Sequence, residues 1–280
     1  MCRLAAYLGK PLLINEVLSK PKDSLIQQSH SAKESTITLN ADGFGVGWYK
    51  RESSQNPAVY VSPLPAWNDL NLKNISHQVY SSCFFGHVRA AAEGGVNVLN
   101  CHPFHYQRWM LMHNGGIGGF KKIRRDLINL LPEELYLHIK GQTDSEHMFA
   151  LWLHHYLPTK QTLQDMIDAW RKTLKTIEAL QANHGVREAS YINSVITDGE
   201  QMVAVCYSTD PKEALSLHYA AGEQFQHTKN GCHMLPSKGH IESVLIVSEK
   251  LTSFESEWHD VPAQHILSVS NHKAIHIVPI

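Results

Sequence analysis

Alternating and continuous apolar segments predict two groups of strands, one before residue 114 and one after residue 190. Turn-forming sequences at 53–57 and at Asp198-Gly199 are typical of hairpin connections. The sequence Asn114-Gly-Gly116 is expected to end the strand before it. The predicted strands are 43–49, 58–62, 82–90, 109–113, 191–197, 202–207, 216–221, 243–248 and 274–279.

Apolar residues at helical spacing predict three helices between these groups. They cover 120–131 (followed by Pro132), 144–156 and 163–182. Thr143 or Asp144 is expected to cap the second helix, because a short side-chain oxygen can accept an otherwise unpaired amide. The polar stretch 20–39 is interpreted as a surface helix or loop.

The order of these elements predicts the fold class. Strands come in hairpins, then helices follow, and then more hairpins, which favours an α+β fold of antiparallel sheets with segregated helices. No repeat and no linker divides the chain, so we expect a single domain over residues 1–280.

Composition narrows the function. Lys and Arg number 25 against 26 Asp and Glu, so the net charge of −1 argues against a nucleic-acid binder. No apolar run approaches a membrane span, and Gly9, Lys10 and Pro11 interrupt any secretory signal. Five scattered cysteines suggest no disulfide framework, so a cytoplasmic location is expected.

The 19 histidines invite a metal interpretation. Cys101, His102 and His105 lie close together, and His154-His155 lie on a predicted helix. Neither set has a known two-pair zinc spacing, and adjacent residues on a helix point about 100° apart. We therefore expect no metal site and assign most of these histidines to the surface or the hydrogen-bonded core.

The candidate chemistry lies at Cys2. Removal of Met1 would leave a cysteine with a free α-amino group, which titrates near 8 in an ordinary chain. That amine can take the thiol proton and later return a proton to a leaving amine. Nucleophile and general base would then be one residue, although an ordinary second-position cysteine fits this position alone.

Four further segments make the pattern more specific: 40–48, 87–91, 113–116 and 141–146. With the Met-Cys start, their order and spacing resemble the class II glutamine amidotransferases, which are N-terminal-nucleophile hydrolases. The resemblance is greatest to a stand-alone branch that includes the amidotransferase subunit of the yeast glutathione-degrading complex and the ergothioneine-pathway γ-glutamyl hydrolase. Segments that resemble this branch are Asn100-Cys-His-Pro-Phe104, 143–147, Ser216-Leu-His-Tyr219, Trp258 and Val261-Pro262.

The resemblance implies a four-layer αββα sandwich and a role for each matching residue. Cys2 would attack the γ-carbonyl of the substrate, and Asn114 with the Gly115 amide would form the oxyanion hole. Arg89 would bind the substrate α-carboxylate and Asp144 the α-ammonium. No metal or organic cofactor is implied.

One position departs from the family pattern. Synthase-linked relatives carry an Arg-Gly pair shortly before the aspartate that matches Asp42, but this chain has Leu39-Asn40-Ala41 there. Asn40 is a candidate substitute for the missing nucleophile support, with Asp42 beside it, and Arg3 is another cation near the nucleophile.

We therefore predict an enzyme that hydrolyses a γ-glutamyl amide through a Cys2 thioester and releases glutamate. Glutathione or a similar conjugate is the first expected substrate, and glutamine the second. The alternatives are a glutaminase subunit that supplies ammonia to a separate synthase, and a non-catalytic regulatory subunit. A peptidase or synthase partner chain and oligomerisation both stay open. The stretch 224–239 is expected to be irregular and is a candidate wall of the leaving-group pocket.

Overall fold

The computed structural model describes residues 2–34, 38–50, 52–91 and 94–280, and antiparallel strands and helices alternate in blocks along them. In chain order the elements are β1 (Arg3–Leu13), α1 (Asn15–Leu18), α2 (Leu25–His30), β2 (Phe44–Trp48), β3 (Ala58–Ser62), α3 (Leu70–Gln78), β4 (Tyr80–Val88), β5 (Phe104–Tyr106), β6 (Trp109–Gly116), α4 (Phe120–Asn129), α5 (Glu133–His138), α6 (Asp144–Tyr156), α7 (Leu163–Asn183), β7 (Tyr191–Thr197), β8 (Met202–Ser208), β9 (His218–Gly222), β10 (Phe225–Thr228), β11 (Gly231–Met234), β12 (Ser243–Val247), β13 (His259–Asp260), β14 (His265–Val269) and β15 (Ile275–Pro279).

Two large sheets carry most of the strands. The first has the order β13-β9-β12-β1-β4-β2-β3, and the second has the order β15-β14-β8-β7-β6-β5. Their strand pairs are antiparallel; Arg3 of β1 lies opposite Val88 of β4, and Asn114 of β6 lies opposite Asn193 of β7. The two sheets meet near these residues, since Asn114 Nδ2 of β6 donates to the backbone oxygen of Cys2, just before β1, at 2.9 Å.

Three apolar cores give the molecule four layers. Leu4 and Ala6 of β1 pack between the sheets with Met110 and Met112 of β6. The alternate residues of β1, such as Tyr7, pack against α1 and α2 on the outer face of the first sheet. The other outer face, on the second sheet, is covered by α4 to α7. Burial on both faces explains why β1 is apolar at successive positions, as a two-sided strand must be.

The predicted α+β fold, with two antiparallel sheets flanked by helices, is confirmed. The helices predicted at 120–131, 144–156 and 163–182 correspond to α4, α6 and α7. Thr143 is the N-cap of α6, since its side chain accepts a hydrogen bond from Glu146 N.

Two local expectations are wrong, and one strand was not predicted. The strand expected to end at residue 113 continues as β6 to Gly116, because residues 114–116 still pair with Tyr191–Asn193 of β7. Stretch 224–239, expected to be irregular, contains the β10–β11 hairpin. The first sheet also includes β1, whose residues 3–13 were not predicted as a strand.

Over the described ranges, no helix combines the length and the apolar character needed to cross a membrane.

Candidate active site

Cys2 lies immediately before β1, a central strand of the first sheet, and two cavities meet at it. The larger cavity has a volume of about 330 Å³ and the smaller about 240 Å³. Cys2 is the residue that lines both of them. A group bonded to its sulfur can therefore extend in two directions.

The larger cavity brings together four of the residues singled out from the sequence. Cys2, Arg89, Gly115 and Asp144 all line it, although they come from widely separated parts of the chain. Asn114 lines the smaller cavity instead. One space next to the thiol thus offers a cation and a carboxylate, the pair of charges that a free amino-acid end requires.

The Cys2 thiol is held in its protonated form. Burial raises its pKa, and the nearby positive charge of Arg89 opposes this rise only in part. The Sγ atom donates a hydrogen bond to Ala90 O at 3.5 Å. This carbonyl oxygen is an acceptor, so it cannot supply a proton or a positive charge to the sulfur. Attack by this sulfur therefore needs a base that removes the proton.

Arg89 follows β4 and is held by backbone carbonyls. It is 3% exposed, and its Nη1 donates to Gly95 O at 2.8 Å. Asp42 shapes the same segment: its Oδ2 accepts a hydrogen bond from Ala91 N at 2.8 Å. Asp42 therefore fixes the loop that carries Arg89.

Asp144 is the first residue of α6, after the Thr143 cap. Its Oδ2 accepts from Ile117 N at 2.8 Å and its Oδ1 accepts from Ser145 N at 2.8 Å. Each carboxylate oxygen has a second lone pair, and the positive end of the helix stabilises the negative charge. The arrangement keeps a rigid anion at the cavity wall.

His87 fixes the orientation of Asn114. The Asn114 Nδ2 donates to Cys2 O at 2.9 Å, so its Oδ1 is the atom that lies 3.1 Å from His87 Nε2. Burial lowers the pKa of His87 to about 3, so the ring is neutral and its single N–H is on Nε2. The hydrogen bonds from His87 to Asn114 and from Asn114 to Cys2 hold the Asn114 amide in one rotamer beside Cys2.

Gly115 occupies a position that excludes a side chain. Its φ is +127°, and a Cβ atom there would lie 1.9 Å from Tyr191 O on the adjacent strand. Only glycine allows β6 to keep its pairing with β7 at this point. This is the physical reason for the Asn114-Gly115 pair next to Cys2.

Two further histidines line the larger cavity. His113 Nε2 donates to Tyr191 O at 3.3 Å, and its Nδ1 accepts from Ser145 Oγ at 2.8 Å. His102 is 3% exposed, and neither ring nitrogen has a hydrogen-bond partner within the described part of the chain. Burial holds the pKa of His102 well below its ordinary value, so a neutral imidazole faces the cavity.

The sequence reasoning did not give these histidines a role. His87, His102 and His113 each lie within a segment that was quoted as part of the family pattern. That coincidence was the available signal, but it does not single out these three, because the quoted segments 143–147 and 216–219 also carry one histidine each. In the structure the His87 and His102 rings lie against each other at a tilt of 34°, with their centroids 4.2 Å apart.

Asn40 and Arg3, the two candidates for nucleophile support, differ in their contacts. Asn40 is fully buried, and its Nδ2 donates to Gln28 O at 3.4 Å. Arg3 Nη1 donates to Cys2 O at 2.9 Å, and its Nε pairs with Glu249 at 2.9 Å. Of these two residues, Arg3 is the one that contacts Cys2.

Over the described residues, no group of three or more His, Cys, Asp or Glu side chains is arranged to hold a metal ion. Cys232 lies on β11, is 4% exposed, and burial raises its pKa to about 11, so this thiol is not a reactive one.

The basic run 121–125 lies on α4 and lines a groove of about 660 Å³ with α5. This groove is larger than either cavity at Cys2 but shares no lining residue with them. No cysteine, serine or threonine lines it, and it holds none of the candidate site residues singled out from the sequence, so volume alone does not make it the candidate active site.

Comparison with known proteins gives a family match over most of the chain. Residues 18–277 match the family described as "Glutamine amidotransferases class-II". The chain is 36% identical to the probable glutamine amidotransferase DUG3 of Saccharomyces cerevisiae, over 96% of this chain and 82% of the yeast protein. It is 32% identical to the gamma-glutamyl-hercynylcysteine sulfoxide hydrolase of Mycobacterium tuberculosis, over 41% of this chain and 49% of that protein.

Solved structures show the same architecture. A glutamine aminotransferase class-II domain protein from Silicibacter pomeroyi superposes with a TM-score of 0.69 at 26% identity, covering 100% of this chain and 99% of that one. The phosphoribosylpyrophosphate amidotransferase of B. subtilis has a TM-score of 0.62 at 14% identity, covering 99% of this chain and 49% of that one. The second likeness supports the fold alone.

Proposed function

The chain belongs to the class II glutamine amidotransferases, and from this membership we propose that it hydrolyses γ-glutamyl amides with Cys2 as its nucleophile. The predicted enzyme class, a glutamine-amidotransferase-like amidohydrolase, is confirmed by the same membership. The observation that carries the proposal is the cavity of about 330 Å³ that Cys2, Arg89, Gly115 and Asp144 share.

The cavity supports recognition of a free glutamyl end. The Arg89 guanidinium pairs with the substrate α-carboxylate, because a planar fork matches a carboxylate in charge and shape. Asp144 accepts from the α-ammonium with the lone pairs that its backbone contacts leave available. The γ-carbonyl then lies near Cys2, with the Asn114 amide and Gly115 N as donors to its oxygen.

The chemistry balances with the residues present. The Cys2 Sγ bonds to the γ-carbonyl carbon and its proton moves to the α-amine of Cys2. The tetrahedral intermediate collapses, the C–N bond breaks, and the amine leaves with that proton. Water, deprotonated by the same amine, then hydrolyses the γ-glutamyl thioester and releases glutamate. No side-chain base in the described residues hydrogen-bonds to Cys2 Sγ, which favours the α-amine as the base.

This mechanism requires loss of Met1, so the proposal includes a mature chain that starts at Cys2 and a single domain over the given sequence. A cytoplasmic location is also part of it. The five cysteines are free in the structure, which supports a reducing compartment.

Glutathione or another γ-glutamyl conjugate is the first proposed substrate class, with glutamine second. The name of the mycobacterial relative supports a γ-glutamyl amide, although that match spans about half of the relative's length. The smaller cavity at Cys2 favours a leaving group larger than ammonia, and hence hydrolysis over ammonia supply to a synthase. A partner peptidase or synthase chain is compatible with either chemistry.

The test is glutamate release by untagged protein from glutamine, glutathione and bulkier γ-glutamyl amides, with Cys2→Ala as control. Release from glutathione or a bulky amide that is lost in Cys2→Ala is the expected result. Turnover of glutamine alone would favour the ammonia-donor alternative. Absence of Cys2-dependent release from every substrate, with the protein folded, would refute the proposal for this chain alone.

A further inference from the structure

Cys2 lies one residue outside the strand ladder of the first sheet. The register between β1 and β4 begins with Arg3 opposite Val88. When Met1 is removed, as the proposed mechanism requires, Cys2 becomes the terminus of the chain, and chain termini fray unless other contacts tie them down. A nucleophile at this position therefore needs contacts of its own to stay in place for attack.

Two side chains hold Cys2 by its backbone carbonyl oxygen. Arg3 Nη1 donates to this oxygen at 2.9 Å, and Asn114 Nδ2 donates to it at 2.9 Å from the second sheet. A carbonyl oxygen has two lone pairs, so these two donors occupy both. They fix the carbonyl group, and with it the Cα atom that carries the thiol and the α-amine, against both sheets.

Arg3 is itself fixed by Glu249, which follows β12. Its Nε donates to Glu249 Oε2 at 2.9 Å, and the two side chains are only 4% and 3% exposed. The carboxylate of Glu249 also accepts from Lys33 N at 2.9 Å and from Glu34 N at 3.1 Å. Because the guanidinium is planar, an Nε bonded to Glu249 and an Nη1 bonded to Cys2 leave it little freedom to turn. We call this arrangement the Arg3–Glu249 clamp.

Stability alone does not account for a buried ion pair at this place. Moving two charges out of water costs free energy, and apolar residues of similar volume are often at least as stabilising as such a pair. Binding of the glutamyl end does not account for it either, because neither Arg3 nor Glu249 lines the larger cavity. The contact that the pair makes possible is the hydrogen bond from Arg3 to Cys2.

We propose that Arg3 is a positioning residue for the nucleophile: the Arg3–Glu249 clamp holds the Cys2 carbonyl, and thereby holds the thiol and the α-amine of the mature terminus where the γ-carbonyl is attacked. The inference rests on the proposed function, because it takes Cys2 to be the nucleophile of a chain that has lost Met1. It predicts that loss of the clamp slows attack without weakening the binding of the glutamyl end.

The test removes both charges of the clamp together, in Arg3→Met/Glu249→Gln. No buried charge is then left unpaired, and the amide oxygen at position 249 can still accept from Lys33 N and Glu34 N. The kcat for glutamine is expected to fall about 10- to 100-fold with KM unchanged, because a small misplacement of the reacting atoms costs this much. Each protein is first shown by mass spectrometry to lack Met1.

A second measurement needs no substrate. Burial raises the pKa of the Cys2 thiol, so a held Cys2 reacts slowly with N-ethylmaleimide at about pH 7. Release of the terminus exposes the thiol to water, and labelling of Cys2, mapped by mass spectrometry, is expected to become about tenfold or more faster in the double variant. Cys83 on β4 is 0% exposed and is the internal reference, because opening of the whole fold would accelerate both cysteines alike.

Tyr7→Phe is the matched control on the same strand. Tyr7 is 0% exposed, and its hydroxyl donates to Lys10 O at 2.6 Å, but it lines neither cavity at Cys2. This variant is expected to lose stability in urea unfolding and to keep both the kcat and the ratio of Cys2 labelling to Cys83 labelling.

The outcomes separate this inference from the proposed function. An unchanged kcat, a loss confined to KM, or unchanged labelling of Cys2 in the folded double variant overturns the positioning role, and Cys2-dependent turnover in the unsubstituted protein leaves the proposed function standing. If glutamine is not hydrolysed, labelling decides: faster labelling of Cys2 with unchanged Cys83 supports the role, and equal rates in the two proteins, or equal acceleration at both cysteines, overturn it.

If the double variant does not fold, Arg3→Lys takes its place. The ammonium neutralises Glu249 but lacks the planar fork that reaches Cys2 at the same time. The same two changes, smaller in size, are then expected, and their absence overturns the positioning role.

Discussion

Replacing Asp144 with asparagine tests the electrostatic part of substrate recognition. The substitution keeps the size of the side chain but removes the negative charge of Asp144, which we propose binds the substrate α-ammonium. A hydrogen bond to a charged group contributes about 1.5–3 kcal/mol, and 1.36 kcal/mol corresponds to a tenfold change. We therefore expect kcat/KM for glutamine to fall about 10- to 100-fold.

The structure also predicts a cost in stability that must be separated from this loss. Both Asp144 oxygens accept backbone N–H groups, from Ile117 and Ser145. The asparagine NH₂ group faces one of these donors, which leaves a buried amide unpaired and lowers the free energy of unfolding by about 1–3 kcal/mol. Urea unfolding measures this part independently of activity.

The assay compares glutamine with 4-carbamoylbutanoate, which has the same amide and carboxylate but no ammonium. Glu146→Gln is the matched control: Glu146 lies in the same turn of α6, is 6% exposed, and accepts from Lys140 N and Gly141 N. It lines neither cavity at Cys2. Asp144→Asn should erase the preference for glutamine, whereas Glu146→Gln should lower stability and keep the preference. Equal losses for both substrates in Asp144→Asn would refute the assigned role.

Three further outcomes are expected. Gly115→Ala should lower the free energy of unfolding by about 2 kcal/mol or more and abolish turnover, because the added methyl group meets Tyr191 O at a positive φ. Urea unfolding and glutamate release measure these two effects, and a variant as stable as the unsubstituted protein would contradict the steric argument. His87→Phe should reduce kcat about 10- to 100-fold with little change in KM, because the Asn114 amide loses the donor that orients it. An unchanged kcat in the folded variant would exclude this positioning role of His87. Burial opposes a rise in the pKa of His218, but the hydrogen bonds to Glu34 and Asp260 outweigh it and raise this pKa. The stability that His218 adds is therefore fully present below pH 6.5 and is lost as the pH rises through the raised pKa. Relative to His218→Gln, the unsubstituted protein should lose stability as the pH rises above 6.5, and a constant difference would contradict the shift.

The fold was largely predictable because its periodicities are strong. The amphipathic patterns of α4, α6 and α7 and the hairpin at Asp198-Gly199 gave the sheet-helix-sheet order. The first strand was not predicted, since residues 3–13 are buried on both faces at their start and show no alternation. A two-sided strand has the same local pattern as a buried helix segment, and only its neighbours decide between them.

The candidate site was predictable as a set of residues but not as a geometry. The family pattern pointed to Cys2, Arg89 and Asp144, which the fold brings to one cavity. The role of His87 depends on which atom of Asn114 faces it, and this is a tertiary relation. The same holds for Arg3, which is held on the Cys2 carbonyl by Glu249, a residue far away along the chain. Asn114-Gly-Gly116 looked like a turn because sequence alone does not show the paired strand β7.

The most direct test of the account is the identity of the covalent intermediate. Protein incubated with a γ-glutamyl substrate and quenched in acid during turnover should lack Met1 and should carry one glutamyl group, mapped by mass spectrometry to the cysteine at its new N-terminus. Cys2→Ala should carry none. Sustained turnover by protein that retains Met1, or an adduct on any other residue, would contradict the central claim that Cys2 is both nucleophile and base.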